Sequence, residues 1–126
     1  MLSTGVDIIH IPRVARVLER HGERFLNRVF TKREIQSSRG RANELAVRFA
    51  AKEAVSKALG VGMRIMAHNG IGFKDVEILP DENGKPHVHL NGRALARSQE
   101  LGLHVWAISL THEREYGVAS VIALSS

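Results

Sequence analysis

The chain has 126 residues, no cysteine, 18 Lys and Arg against 13 Asp and Glu, and only 5% aromatic residues. Disulfides and thiolate metal sites are therefore excluded, and there are few rings on which nucleobases could stack. The net charge of +5 favours an acidic partner: nucleic acid, an anionic protein or a phosphorylated small molecule.

Length predicts one domain, residues 1–126, large enough to bury a core without staples. No window approaches the ~18 apolar residues of a membrane span, and no basic segment with a long apolar run opens the chain. A cytoplasmic protein is the expectation.

In chain order, Gly5 to Ile11 is a β-branched run and reads as a strand. Apolar residues on both of its faces predict an inner position in a sheet, with Asp7 against the pattern. Pro12 suits the first position of a helix, whose buried stripe is Val14, Val17, Leu18, His21 and Phe25. Arg13, Arg16, Arg20, Arg24 and Arg28 recur at spacings of three and four and form a second, basic stripe. Thr31-Lys32-Arg33-Glu34 is a capping box that opens a short helix, which the polar stretch from Ser37 to Arg41 breaks. A long helix then runs from about Ala42 to Leu59, ended by Gly60 and Gly62.

Residues 60–72 read as a glycine-punctuated loop. Phe73 to Leu79 alternates as a half-exposed strand, Asp81 to Pro86 turns on Asn83-Gly84, and His87 to Leu90 returns as a strand. Asn91 can cap a short helix through Leu101, closed by Gly102. Strands Val105 to Leu110 and Tyr116 to Leu124 follow, joined by Thr111 to Glu115. The order β-α-α-α-β-β-α-β-β predicts an α+β domain with an antiparallel sheet packed against the long helix.

Two carboxylates stand against pattern: Asp7 inside a strand, and Glu53 on a helix face with Ala46, Phe49, Ala50 and Lys57 that should be buried. Buried charge must be satisfied. Asp7 and Glu53 either pair with nearby arginines or hold a cation such as Mg²⁺, which takes its other ligands from water and substrate phosphates. Lys57, one turn beyond Glu53, would face the same phosphates. His87 and His89 alternate on one face without a third ligand, so zinc is disfavoured. No GxxxxGK[ST] or GxGxxG motif occurs, which removes the P-loop and Rossmann readings.

Four segments stand in an order and spacing that resembles one family. They are Gly5-Val6-Asp7-Ile8 with Arg13; Arg48-Phe49-Ala50-Ala51-Lys52-Glu53-Ala54 with Lys57 and Ala58; Asn83-Gly84-Lys85-Pro86; and Ser109-Leu110-Thr111-His112. The family is the holo-acyl-carrier-protein synthases, the small bacterial type of 4′-phosphopantetheinyl transferase. The resemblance covers nearly the whole chain. It implies the 4′-phosphopantetheinyl transferase fold in a single subdomain copy, assembled as a homotrimer with active sites between subunits. It also implies a Mg²⁺-dependent transfer of 4′-phosphopantetheine from coenzyme A to a serine of apo-acyl carrier protein. The products are holo-carrier protein and 3′,5′-ADP, in support of fatty acid biosynthesis.

By the same resemblance, Asp7 and Glu53 would ligate the metal, and Glu53 and Lys57 would be catalytic. Arg48, Lys57, Asn83, Gly84, Lys85, Pro86 and His112 would bind coenzyme A, with Arg48 serving a neighbour's site. Arg13, Arg16, Arg20, Arg24, Phe25 and Arg28 would dock the carrier protein. The helix bearing Glu53 is apolar almost all round, more than one small sheet can bury, which independently suits a trimer. Two features depart from the pattern. Glu113 follows His112, where an acid repels phosphates unless it points away, and the loop from Ser37 to Asn43 is short.

The rival reading is a small basic nucleic-acid-binding protein, which explains the arginines but not Asp7, Glu53 or the Asn-Gly-Lys-Pro turn. A non-catalytic scaffold for an acidic helix explains the arginines alone.

Overall fold

The computed structural model describes residues 1–63 and 70–126. Strand β1 is Leu2–His10, followed by helices α1 (Ile11–Val29), α2 (Lys32–Ser38) and α3 (Ala42–Leu59). A 3-10 turn, Phe73–Asp75, leads into the hairpin β2 (Val76–Pro80) and β3 (Pro86–Leu90). Helix α4 (Gly92–Leu101) and a second hairpin, β4 (Val105–Glu113) and β5 (Tyr116–Leu124), complete the order. The predicted succession of elements is observed. Residues 64–69 of the predicted 60–72 loop lie outside the described residues.

Local chemistry accounts for the helix ends. Pro12 sits in the first turn of α1, and Thr31 caps α2 with Glu34 answering it in the expected box. Gly60 ends α3 at φ 70°, a left-handed conformation that glycine adopts without strain. Asn91 occupies the cap position of α4, but its side chain makes no capping bond. Gly22 (φ 44°, ψ −120°) kinks α1. His21, predicted on the buried stripe, is exposed just before the kink, while Val14 on that stripe is buried.

The strands form two sheets, where the sequence predicts one. Among the described residues a three-stranded antiparallel sheet has the order β1-β5-β4, and β2 pairs with β3 in a separate hairpin. β1 is therefore an edge strand and not an inner one. Its inner face, Gly5, Asp7 and Ile9, turns to α3, while Val6 and Ile8 are 58% and 64% exposed. The apolar residues on its second face belong to a surface. On the same face Leu2, Leu124 and Val105 stand in register across the three strands, with Ile122 beside them, all exposed.

Helix α3 is buried within this one chain. It packs against β1, β5 and β4 on one side and against α1, α2, α4 and β2 elsewhere. The predicted surplus of apolar surface on α3 is thus not present, and the surplus lies on the outer face of the sheet. Of the predicted face, Ala46 and Ala50 are buried, Phe49 and Glu53 are half-buried and Lys57 is exposed.

The charge that the core accepts is Lys52, fully buried one residue before Glu53. Its ammonium donates to Glu34 Oε1 at 2.8 Å, to the carbonyl of Phe73 at 2.9 Å and to that of Val76. Glu34, equally buried, also accepts the N–H of Thr31 on Oε1 and that of Ile78 on Oε2, both at 2.9 Å. All three ammonium protons are used, and the carboxylate takes three donors. Burial still lowers the Lys52 pKa, with Glu34 opposing. Removing one partner strands the other charge, so Glu34→Ala should destabilise the fold by about 3–5 kcal/mol. Urea denaturation of the variant measures this loss.

Candidate active site

Asp7 and Glu53 are brought together by a close approach of backbones. A Cβ on Gly5 would stand 1.9 Å from the carbonyl oxygen of Ala54, so only glycine lets β1 lie this near α3. Two residues along β1, the Asp7 carboxylate then faces the helix surface that carries Glu53 and Lys57. Lys57 Nζ donates to Asp7 Oδ1 and to the Val6 carbonyl, each at 2.9 Å. Among the described residues neither carboxylate pairs with an arginine, the alternative to a cation; Arg13 borders the same cleft, of about 370 Å³, without an ion pair to either. Phe49, Ile9, His10 and Tyr116 supply the other walls.

Two carboxylates, Asp7 and Glu53, line the cleft, with the Lys57 ammonium on Asp7 and the Arg13 guanidinium at the border. Burial raises the Glu53 pKa, the neighbouring Asp7 raises it further, and Lys57 partly offsets both. Two carboxylates on one wall supply the hard oxygen donors that Mg²⁺ takes. Among the described residues no group of three or more metal-ligating side chains occurs, so Asp7 and Glu53 would leave positions open for water and phosphate oxygens.

The raised Glu53 pKa has a definite consequence for stability. The folded state binds this proton more tightly than the unfolded chain, so stability falls as pH rises from the ordinary value of 4.5 through the raised one. In chelator, Glu53→Gln should therefore raise the melting temperature at pH 7. The gain should vanish below the ordinary value, where both states are protonated. Calorimetric melting against pH checks both points.

A second group of predicted residues gathers elsewhere. Arg48, Gly84, Pro86 and His112 line a cavity of about 270 Å³ together with Glu44 and Thr111. Arg48 is buried, and its Nη1 donates to the carbonyl and to Oε2 of Glu44 at 3.0 Å each. Among the described residues its Nε finds no partner, which leaves a buried donor at the cavity wall. Asn83 and Lys85 are exposed in the β2–β3 turn and do not line the cavity.

His112 lies within β4, not in the predicted connection, because the strand continues to Glu113 and the turn is only Arg114-Glu115. Strand alternation sends Glu113 to the face opposite His112, which removes the predicted repulsion. Arg48 and Glu53 are five residues apart on α3, about 140° around the helix. The two groups consequently open on different sides of α3, and one chain does not unite them.

The basic stripe divides as well. Arg13 belongs to the first cleft, while Arg24, Phe25 and Arg28 border a separate depression of about 330 Å³ beyond the kink. Arg16 and Arg20 are exposed between them. Phe25 stacks on Phe49 with centroids 6.3 Å apart, which links that depression to the wall beside Glu53. The sequence reading missed His10, Tyr116 and Phe49 as cleft residues. Phe49 was legible as a neighbour of Glu53 one turn away; His10 and Tyr116 meet only through the pairing of β1 with β5.

A sequence model of the 4′-phosphopantetheinyl transferase superfamily matches residues 3–120. The chain belongs to this family. A holo-acyl-carrier-protein synthase of Gloeobacter violaceus is 47% identical over 121 residues, covering 93% of this chain and 88% of the relative. That of Herpetosiphon aurantiacus is 41% identical over 126 residues, covering 98% and 99%. Among solved structures, the Helicobacter pylori holo-acyl-carrier-protein synthase in complex with coenzyme A superposes with a TM-score of 0.85 at 26% identity. It covers 96% of this chain and 99% of the other. The transferase fold of this family thus carries both groups of residues described above.

Proposed function

We propose that residues 1–126 act as one holo-acyl-carrier-protein synthase domain, with the Asp7–Glu53–Lys57 cleft as its chemical centre. The observation that carries this reading is that Asp7 from β1 and Glu53 from α3 line one cleft, with the Lys57 ammonium on Asp7 and close enough to act on Glu53. The reaction moves 4′-phosphopantetheine from coenzyme A to a carrier-protein serine, in support of fatty acid biosynthesis. Asp7 and Glu53 would hold Mg²⁺, which supplies charge neutralisation to the pyrophosphate.

The chain's own residues do the rest. The serine hydroxyl attacks the β-phosphate, its oxygen–phosphorus bond forms, and the bond from that phosphorus to the α-phosphate oxygen breaks. Glu53, directly or through a water, takes the serine proton. Lys57 stabilises the departing 3′,5′-ADP. Arg48, with its free Nε, and His112, Asn83, Gly84, Lys85 and Pro86 surround the nucleotide.

A homotrimer with sites between subunits reconciles two observations. The outer face of β1-β5-β4 exposes Leu2, Val6, Ile8, Val105, Ile122 and Leu124, an apolar patch suited to a second copy. The nucleotide residues and the carboxylates open on different sides of α3, so a neighbour's Arg48 group can complete the Asp7 cleft. The kinked basic helix, with Arg13, Arg16, Arg20, Arg24, Phe25 and Arg28, docks the acidic carrier protein. No helix among the described residues is long and apolar enough to cross a membrane. A cytoplasmic location suits these substrates.

Mass spectrometry of apo-carrier protein incubated with coenzyme A, Mg²⁺ and this protein tests the activity through the gain of one phosphopantetheine. Nucleic-acid binding without that gain would support the rival reading. Lys57→Ala should lower kcat about 100-fold while changing coenzyme A affinity little, because the ammonium gains most as charge builds on the leaving phosphate. Steady-state kinetics separates this from a rise in KM alone. Reversing Arg24 and Arg28 to Glu should raise KM for the carrier protein about tenfold and leave coenzyme A affinity unchanged. Wild-type association should weaken as salt screens these charges.

A further inference from the structure

The turn between β2 and β3 carries two adjacent acids, Asp81 and Glu82, directly before the Asn83-Gly84-Lys85-Pro86 segment. An acid beside a polyphosphate site opposes binding unless its charge is engaged elsewhere. The charge of Asp81 is engaged within the turn. Its Oδ1 accepts the N–H of Asn83 at 2.8 Å and of Lys85 at 3.0 Å, and Oδ2 lies 2.9 Å from Nε2 of His87. Its backbone closes the same loop. The Gly84 N–H donates to the Asp81 carbonyl at 2.9 Å, and the Asp81 N–H donates to the Lys85 carbonyl at 2.8 Å.

These partners are strong enough to shift the acid itself. The His87 hydrogen bond, followed by that from the Lys85 N–H, holds the Asp81 carboxyl below its ordinary range. Gly84 is set at φ 85° at the tip, and Gly84 and Pro86, but not Asp81, border the cavity with Arg48 and His112. Asp81 touches the cavity only through the turn that it holds.

We propose that Asp81 is a positioning residue for coenzyme A: its carboxylate fixes the Asn83–Pro86 turn in its binding shape before the nucleotide arrives. This rests on reading the Arg48–His112 cavity as the nucleotide site. A loop already ordered loses less conformational freedom on binding. Without the carboxylate, the Asn83 and Lys85 N–H groups turn to water, and ordering them falls on the binding step.

The test compares wild type with Asp81→Ala and Asp81→Asn, since an asparagine carbonyl can still accept both N–H groups. Calorimetry gives Kd for coenzyme A with Mg²⁺, and steady-state kinetics gives kcat and both KM values. D81A should raise Kd and KM for coenzyme A about tenfold, with kcat and the carrier-protein KM within about twofold of wild type. D81N should recover most of the loss, and amide exchange at Asn83 and Lys85 should speed up in D81A alone. The proposal is overturned if D81A binds coenzyme A like wild type. It is equally overturned if D81A raises both KM values together or melts without recovery in D81N, since Asp81 then serves the fold. A wild-type protein that binds no coenzyme A removes the reading of the cavity and the proposal with it; equal binding by wild type and D81A removes the proposal alone.

Discussion

A lysine ammonium in a dry interior demands acceptors for all three of its protons, and this fold is assembled around that demand at Lys52. The acceptors come from three places: Glu34 on α2, and the carbonyls of Phe73 and Val76 at the entry to β2. Glu34 in turn reaches β2 through the Ile78 N–H and its own cap through Thr31. The result is a polar knot that fixes α2, the middle of α3 and the first strand of the small sheet against one another. Glu53 follows Lys52 directly, so the knot also sets how α3 presents the cleft. Thr31 carries the connection one step further by donating to Glu77 at 2.5 Å.

Much of this was legible in the residues, though not the knot itself. The order of elements follows from caps, glycines and β-branched runs, which are local signals. Asp7 and Glu53 stood out because each breaks the periodicity of its own element. Lys52 did not stand out, since it sits beside Glu53 and reads as a solvated neighbour until the partner eighteen residues earlier is seen. Glu34 was read correctly as half of a capping box, and that local role concealed its second one. The misplacement of β1 inside the sheet has a similar origin. Apolar residues on both faces identify two covered or coverable surfaces, but they do not say whether the second belongs to this chain.

The outer sheet face and the division of the candidate site are two aspects of one geometry. Helix α3 is small-residue-rich and satisfied within the chain, so it spends no apolar surface on a partner. The sheet that wraps it is thin, with one face on α3 and the other bare. Gly5 and Gly117 let the strands press close: a Cβ at Gly117 would come within 2.7 Å of Val47. Close packing draws Asp7 onto α3, while Arg48 faces a cavity that β4 of the same sheet helps to line. The two groups of polar residues therefore sit about 140° apart around one helix.

The pairing of β1 has a consequence for the order in which the chain acquires its parts during synthesis. β1 emerges well before β5, yet β5 is its hydrogen-bonded neighbour, from Leu2 opposite Leu124 to His10 opposite Tyr116. Until Tyr116–Leu124 has left the ribosome, β1 meets α3 only through contacts such as those of Lys57 with Asp7 and Val6, and its own ladder of backbone groups stays unpaired. Such long-range closure is slow compared with local helix formation. A nascent chain can therefore fold its helices and still lack a fixed Asp7–Glu53–Lys57 cleft until β5 has been made.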